Sequence, residues 1–162
     1  MPYLRHKSVR GERASASTPA DIRRTAIQLL ARREHTVLEL QHKLAQRGFA
    51  NPDIDSVLAA LISEDMINEE RYAEVYAHSR ADKGYGPLRI SRELRERGVS
   101  EDIVTAVLSS FDEFWVPKLV ALQRKRFGEE LPRDIAGQAQ QTRFLRYRGF
   151  TLEQIKTVLR DS

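Results

Sequence analysis

The side chains with chemical potential are few, and most are set against catalysis. The chain has four histidines, His6, His35, His42 and His78, and no cysteine. That excludes a disulfide scaffold, a thiolate zinc site and a cysteine nucleophile, and it fits a reducing compartment. Only His35 and His42 lie near each other, with no carboxylate at ligand spacing, so no metal site is expected. Glu64, Asp65, Glu69 and Glu70 cluster, but between two helical patterns, where they read as a helix N-terminus and a solvated loop rather than an acid/base pair. Gly84-Tyr85-Gly86 is followed by Pro87 and has no strand before it, so it is not a dinucleotide fingerprint. No Gly-x-Ser-x-Gly elbow occurs. The expectation is a protein that is not an enzyme and uses no cofactor.

The cations are better candidates. Residues 1–24 carry six basic and two acidic side chains, and residues 117–162 carry ten and five. The stretches between them are mildly acidic: 25–71 holds five and eight, 72–116 six and eight. Nucleic acid is held by local positive potential, because cation–phosphate contacts release condensed counterions. Three groups qualify. Arg124, Lys125 and Arg126 form a run with no acid until Glu129. Arg143 and Arg146, with Arg148, surround Tyr147. Lys83, Tyr85 and Arg89 place an aromatic between cations at a glycine turn, with Arg92 one helical turn further on. An exposed tyrosine there serves a protein partner or a nucleic acid equally well. Arg92–Glu96 and Glu93–Arg97 also read as (i, i+4) pairs on a solvated face. Neutralising about three to four phosphates would give log K a slope near −3 against log salt.

The elements that position these residues follow from an internal repeat. Lys43-Leu44-Ala45-Gln46-Arg47-Gly48-Phe49, Glu93-Leu94-Arg95-Glu96-Arg97-Gly98-Val99 and Phe144-Leu145-Arg146-Tyr147-Arg148-Gly149-Phe150 share one pattern. After each glycine come apolar residues at matching offsets: Ile54, Val57 and Leu58; Val104, Val107 and Leu108; Ile155, Val158 and Leu159. Leucine, then Arg-Gly, then an apolar residue is how a helix ends in a left-handed glycine. The next helix starts each time, with Asn51 before Pro52, with Ser100, and with Thr151 facing Gln154. Upstream, Thr18-Pro19-Ala20-Asp21, Thr36 with Glu39, and Asn68-Glu69-Glu70 also read as helix starts. Tyr72, Val75, Tyr76 and Ser79 fall on one side of the helix that Asn68 opens. A helix from about Phe114 to Phe127 has Pro117 in its first turn, and Gly128 to Gly137 is a longer connection.

The predicted fold class is all-α: three tandem three-helix units in an elongated, bent repeat array with no β-sheet. Residues 1–18 form a basic flexible tail, and the units cover 19–66, 67–112 and 113–162. Each unit is too small for a strong core of its own, so stacking must help. The third has Gln141 where the others have Leu40 and Ile90, which makes it the most polar and the best suited to complete its surface on a partner. At 162 residues, 41% hydrophobic and 31% charged, the chain is globular. Its longest apolar run, Val57 to Ile62, falls far short of the ~20 residues of a membrane span. The N-terminal segment lacks an apolar signal region, so the expected setting is the cytoplasm.

The sequence resembles the RecX regulatory proteins of bacteria over roughly residues 20–160. The densest match is Glu70-Arg71-Tyr72-Ala73, Arg80, Lys83-Gly84, Gly86-Pro87, Arg89-Ile90, Glu93-Leu94 and Arg97-Gly98-Val99. The resemblance implies three tandem three-helix units and a protein that binds the RecA recombinase and its filament on single-stranded DNA. Such proteins lodge in the filament groove, stop its extension and favour disassembly. That suppresses ATP hydrolysis, strand exchange and stimulated cleavage of the SOS repressor. Some also bind DNA directly, single- or double-stranded, and self-association by unit swapping is open to helical repeats.

Two other readings compete. A stand-alone helix-turn-helix-like DNA-binding module should carry positive charge on the third helix of each repeat. Residues 51–62 and 100–111 contain no Lys or Arg, which argues against it. A purely structural helical adaptor would have no effect on RecA.

Overall fold

A computed structural model describes residues 17–160, and among these there are nine α-helices and no strand. They are α1 (Pro19–Arg32), α2 (Val37–Gln46), α3 (Asn51–Ser63), α4 (Glu69–Asp82), α5 (Pro87–Glu96), α6 (Glu101–Ser109), α7 (Asp112–Phe127), α8 (Ile135–Tyr147) and α9 (Leu152–Leu159). Packing is mainly within α1–α3, within α4–α6 and within α7–α9, with α4 also touching α7. All but the last two residues of the expected basic tail lie outside the described residues.

Local chemistry sets the helix boundaries. Thr18, Thr36 and Thr151 each close a capping box, with Asp21, Glu39 and Gln154. Asn68 accepts the Arg71 N–H at 2.9 Å to start α4. Gly48, Gly98 and Gly149 take φ of 88°, 86° and 101°, as the repeated helix ends require.

Four details depart from the sequence reading. Asn51 is inside α3, and Ala50 is the cap, because Pro52 already supplies the helical φ. α7 starts at Asp112, so Pro117 lies in its second turn rather than its first. Gly137 belongs to α8, where a side chain would meet the Asp134 carboxylate 2.6 Å away. On α4 the buried stripe is Tyr72, Ala73, Ala77 and Ala81, while Val75 and Ser79 face solvent. Small alanines let α4 approach its neighbours, and that outweighs the pull of a single valine.

The apolar side chains form two cores. The first lies in α1–α3 and contains Ile22, Ala26, Leu40, Leu44, Ile54, Leu58 and Leu61, with Ile67 reaching in from the α3–α4 connection. The second runs without a break through α4–α9 and includes Tyr72, Ile90, Leu94, Val104, Trp115, Leu119, Leu145, Phe150 and Ile155. The middle and last helical triplets therefore share one interior, whereas the first keeps its own. Gln141 is buried in the shared core and its amide oxygen accepts a hydrogen bond from Gln123 at 3.2 Å. The polar residue that replaces Leu40 and Ile90 is thus matched by a second amide.

The joint between the first triplet and the rest is mostly polar. Glu34 pairs with Arg71. The Val37 N–H donates to Glu69 at 3.0 Å, and the Tyr72 hydroxyl donates to Glu39 at 3.2 Å. Leu38 supplies the apolar contact, packed on Gly98.

The joint between α5 and the end of α8 is made by backbone. Gly86 N–H donates to the Arg148 carbonyl at 2.8 Å, and Leu88 N–H donates to the Gly149 carbonyl at 2.9 Å. These donors stand at the start of α5, where no intrahelical partner exists. A Cβ on Gly86 would stand 2.5 Å from the Gly149 carbonyl, and one on Gly149 would collide with Arg89.

Within α4–α5, Glu93 gathers the polar contacts. Arg80 donates to it through two nitrogens at 2.9 and 2.7 Å, the Tyr76 hydroxyl donates at 2.7 Å, and Arg89 Nε donates at 3.3 Å. The expected Glu93–Arg97 side-chain pair does not form; Arg97 donates to the Glu93 backbone carbonyl and lies over the Tyr76 ring. Burial pushes the Glu93 carboxyl up, but the hydrogen bonds from Arg80, Tyr76 and Arg89 outweigh it and hold the group below its ordinary value. The same burial, with the bond to Glu93, pushes the Tyr76 phenol up to about 12.

Two outcomes are expected. Gly86→Ala should destabilise the chain by about 2–4 kcal/mol in urea unfolding, by forcing the α5–α8 backbones apart. Gly48→Ala, with left-handed φ but open space around an added Cβ, should cost only about 1–2 kcal/mol. The reverse order would refute the backbone-contact account. Glu93→Gln should cost about 2–4 kcal/mol at neutral pH. Because the native carboxyl is depressed, its contribution is complete above the unfolded value of about 4.3 and is lost as pH falls through the native value. The native chain should therefore lose stability more steeply on acidification than Glu93→Gln; parallel pH curves would show that Glu93 is not a linkage site.

Candidate functional site

The shared core places the ends of three helices beside one another. Lys83 and Gly84 close α4, Lys118, Leu122, Lys125 and Arg126 come from α7, and Phe144 and Arg148 come from α8. Together they line a groove of about 340 Å³. Lys118, Ala121, Leu122 and Lys125 stand at i, i+3, i+4 and i+7, one stripe of α7. Gly84 fits here because a Cβ would press on Leu122 Cδ1 at 3.1 Å. The floor is Leu122 and Phe144. The Phe144 ring meets Phe127 edge-on at 5.4 Å between centroids, and the Arg126 and Arg148 guanidinium groups each stand 5.6 Å from its centre.

The nine residues singled out in the sequence are distributed unevenly around this groove. Lys83, Lys125 and Arg126 line it. Arg124 does not: successive helical residues diverge by about 100°, and Arg124 faces a separate hollow with Glu129, Leu131 and Thr157. Arg143 and Arg146 lie on the outer face of α8 with Ile135 and Tyr147, which are 86% and 76% exposed. Arg92 is exposed and 3.8 Å from Glu96, the solvated helix face expected of that pair.

Tyr85 departs from the exposed aromatic that the glycine turn implies. It is half-buried, with the Arg80, Arg89 and Arg148 guanidinium carbons 3.9, 4.4 and 4.7 Å from its ring centre. Three cations drawn from α4, α5 and the end of α8 share one ring, so Tyr85 ties the joint together. Arg89 is likewise spent on structure, against Glu93, Tyr85 and Gly149. Lys118 is the groove cation that sequence reasoning left out, and Arg148, grouped there with Arg143 and Arg146, parts from them to line the groove. Lys118 was detectable as the cation seven positions before Lys125; Arg148, the residue before the repeat glycine, reaches the groove only through the α5–α8 joint.

The electrostatics of the chain divide at this groove. Among the described residues, every ion pair involves residues up to Lys118, and none involves a lysine or arginine beyond it. In the groove, Asp82 is the one acidic lining residue; Lys118 reaches it at 2.5 Å, and that hydrogen bond holds its carboxyl below its ordinary value. Lys83, Lys125, Arg126 and Arg148 have no carboxylate partner among the described residues. Such a site can receive phosphate or carboxylate oxygens. Three of the four acidic residues that cluster in the sequence are committed elsewhere: Glu64 to Arg23, Asp65 to Asn68 and Arg71, and Glu69 to the Val37 N–H. His35 is buried, with Nδ1 at the Arg33 carbonyl and Nε2 at Lys43, both at 3.0 Å, and desolvation lowers its pKa. No group of three or more His, Asp or Glu side chains able to hold a metal is gathered among the described residues, and no helix there is long and apolar enough to cross a membrane.

Comparison with known proteins agrees with this architecture. The profile of the first three-helix domain of RecX matches residues 23–61, and that of the second matches residues 68–108. The regulatory protein RecX of Halorhodospira halophila is 42% identical over 143 residues, 88% of each chain. That of Pseudomonas syringae pv. tomato is 43% identical over 146 residues, 90% of this chain and 94% of the relative. The crystal structure of RecX from Lactobacillus salivarius superposes with a TM-score of 0.77 at 24% identity, covering 88% of this chain and 95% of that one, a likeness of fold. The two matched profiles, the near-complete coverage of these relatives and the repeated three-helix architecture together establish that the chain belongs to the RecX family of regulatory proteins.

Proposed function

We propose that this RecX protein regulates the RecA recombinase by binding RecA and its filament on single-stranded DNA. In this reading it stops filament extension and so lowers ATP hydrolysis, strand exchange and stimulated cleavage of the SOS repressor. It acts in the cytoplasm by binding alone, without catalytic residues or a cofactor, and direct contact with DNA adds to the protein contact. The carrying observation is family membership across nearly the whole chain; RecA as the partner comes with the family resemblance.

The structure supports a binding role through the pairing of its charges. The polar groups within α1–α6 are largely neutralised internally, whereas the cations beyond Lys118 have no carboxylate of the described chain. Unengaged cations on α7 and α8 are available to an anionic partner. We assign partner contact to Lys83, Lys125, Arg126, Arg143 and Arg146, and less of it to Tyr85 and Arg89, which the α5–α8 joint already occupies. Three units spanning residues 19–66, 67–112 and 113–162 are the working division.

The stand-alone DNA-binding reading gains nothing from the structure. α3 and α6, two of the three helices that would enter major grooves, contain no lysine or arginine and begin with acidic first turns.

The test is ATP hydrolysis by RecA on single-stranded DNA with this protein added well below the RecA concentration. A progressive fall at sub-stoichiometric amounts is expected, because one blocked end halts many subunits. No fall even near equimolar protein would overturn the regulatory reading. A charge-removing Arg143→Gln/Arg146→Gln variant should leave the fold intact, since both side chains are exposed, and should need more protein for the same inhibition. An unchanged titration would take the outer face of α8 out of the partner surface.

A further inference from the structure

We infer that the groove between the end of α4, α7 and the end of α8 holds the phosphate backbone of a single-stranded nucleic acid. The inference rests on the reading that this chain meets DNA directly, and it names the place.

Three observations carry it. The first is charge without partners. Lys83, Lys125, Arg126 and Arg148 converge from three helices, and the single acid among them, Asp82, is neutralised by Lys118. Elsewhere, between Asp21 and Glu101, cations of this chain are repeatedly matched to a carboxylate. Four cations gathered without a carboxylate raise the local positive potential, which an anion entering the groove would meet. The second is the floor. Leu122 and Phe144 give the groove an apolar and aromatic base between its cationic rims, the combination that receives a base and its phosphate together. A purely acidic peptide such as oligoglutamate would use the cations and leave that floor empty. The third is rigidity. Arg126 and Arg148 are held against Phe144, and Arg148 is fixed further by Tyr85 and by the Gly86–Arg148 backbone bond. Groups already placed lose little entropy on binding.

Size selects the strand. A recess of about 340 Å³ lies at the low end of the roughly 300–1,000 Å³ typical of ligand sites. It takes about one nucleotide of an open strand; a duplex cannot descend into it. The groove also spans the boundary between the second and third triplets. Their shared core prevents it from opening, so the site is preformed.

The test is fluorescence anisotropy of a labelled oligo(dT) strand with the full chain across a salt series. Lys83→Gln/Lys125→Gln should reduce the slope of log K against log salt by about 1.4, at ~0.7 for each lost single-strand phosphate contact. Arg126→Gln should reduce it by about half as much. Arg32→Gln, which removes an exposed cation from α1, should leave it unchanged. All four side chains are exposed, so folding is not at stake. An unchanged slope in the double variant, or no oligo(dT) binding by the full chain, would overturn the inference. So would equal displacement of oligo(dT) by an oligoglutamate of the same charge, which would make the groove a peptide site, or tighter binding to a duplex of the same length. The RecA ATPase assay separates this inference from the regulatory reading. Oligo(dT) binding lost in the groove variants, in a full chain that never inhibits RecA, would sink the regulatory reading and leave the groove standing. Inhibition by a full chain with no groove-dependent binding would do the reverse.

Discussion

At one crossing in this molecule two peptide backbones meet where a Cβ on either side would collide, and much of the structure is arranged around it. Gly86 begins α5 and Gly149 ends α8, and their peptide groups meet with hydrogen bonds to Gly86 and Leu88. Because they meet, the apolar faces of α4–α6 and α7–α9 close over one interior. Lys83 and Gly84, just upstream of Gly86, are brought beside α7, and Arg148, just upstream of Gly149, is turned toward both. The groove is thus a by-product of helix-end geometry. Tyr85 lies between the two glycines of its turn and is clasped by three guanidinium groups, which keeps the crossing from sliding.

Charge is managed differently on the two sides of that crossing. Up to Lys118 many of the cations pair with carboxylates, several of them across helices, with Glu93 as the densest node; Arg32, Arg47 and Lys83 do not. Beyond it they have no carboxylate partner among the described residues. A sequence count shows the excess of basic residues in the last third. It does not show that the excess is unmatched, because pairing depends on contacts such as Arg71 with Glu34 or Lys118 with Asp82, far apart in the chain.

What sequence reasoning reaches follows the range of the forces involved. The repeated Arg-Gly helix ends and the threonine capping boxes are local, so helix order and the left-handed glycines were legible. Asn51 was misassigned because proline and asparagine each offer a helix start, and the fixed φ of Pro52 prevailed. Val75 misled because hydrophobicity marks a buried face poorly when the neighbour is a close-packed helix that needs alanine. For the site, Lys83, Lys125 and Arg126 were legible as charge; the exclusion of Arg124 required only the 100° step of a helix. Arg148 was legible as charge, but its place in the groove and the clasp around Tyr85 were not, because both depend on α5 and α8 meeting across some sixty residues of chain.

The division into two cores carries its own thermodynamic consequence. An interior shared by six helices melts as one cooperative body, but α1–α3 is bound to it by a few carboxylate contacts and one leucine on a glycine. Heat should not unfold this chain in an all-or-none manner. The first triplet can lose or keep its structure on its own account, so a calorimetric enthalpy will exceed the van't Hoff value and a single melting temperature will describe neither body. A protein built this way has an N-terminal arm whose order can be set by what it touches, while its basic end stays rigid.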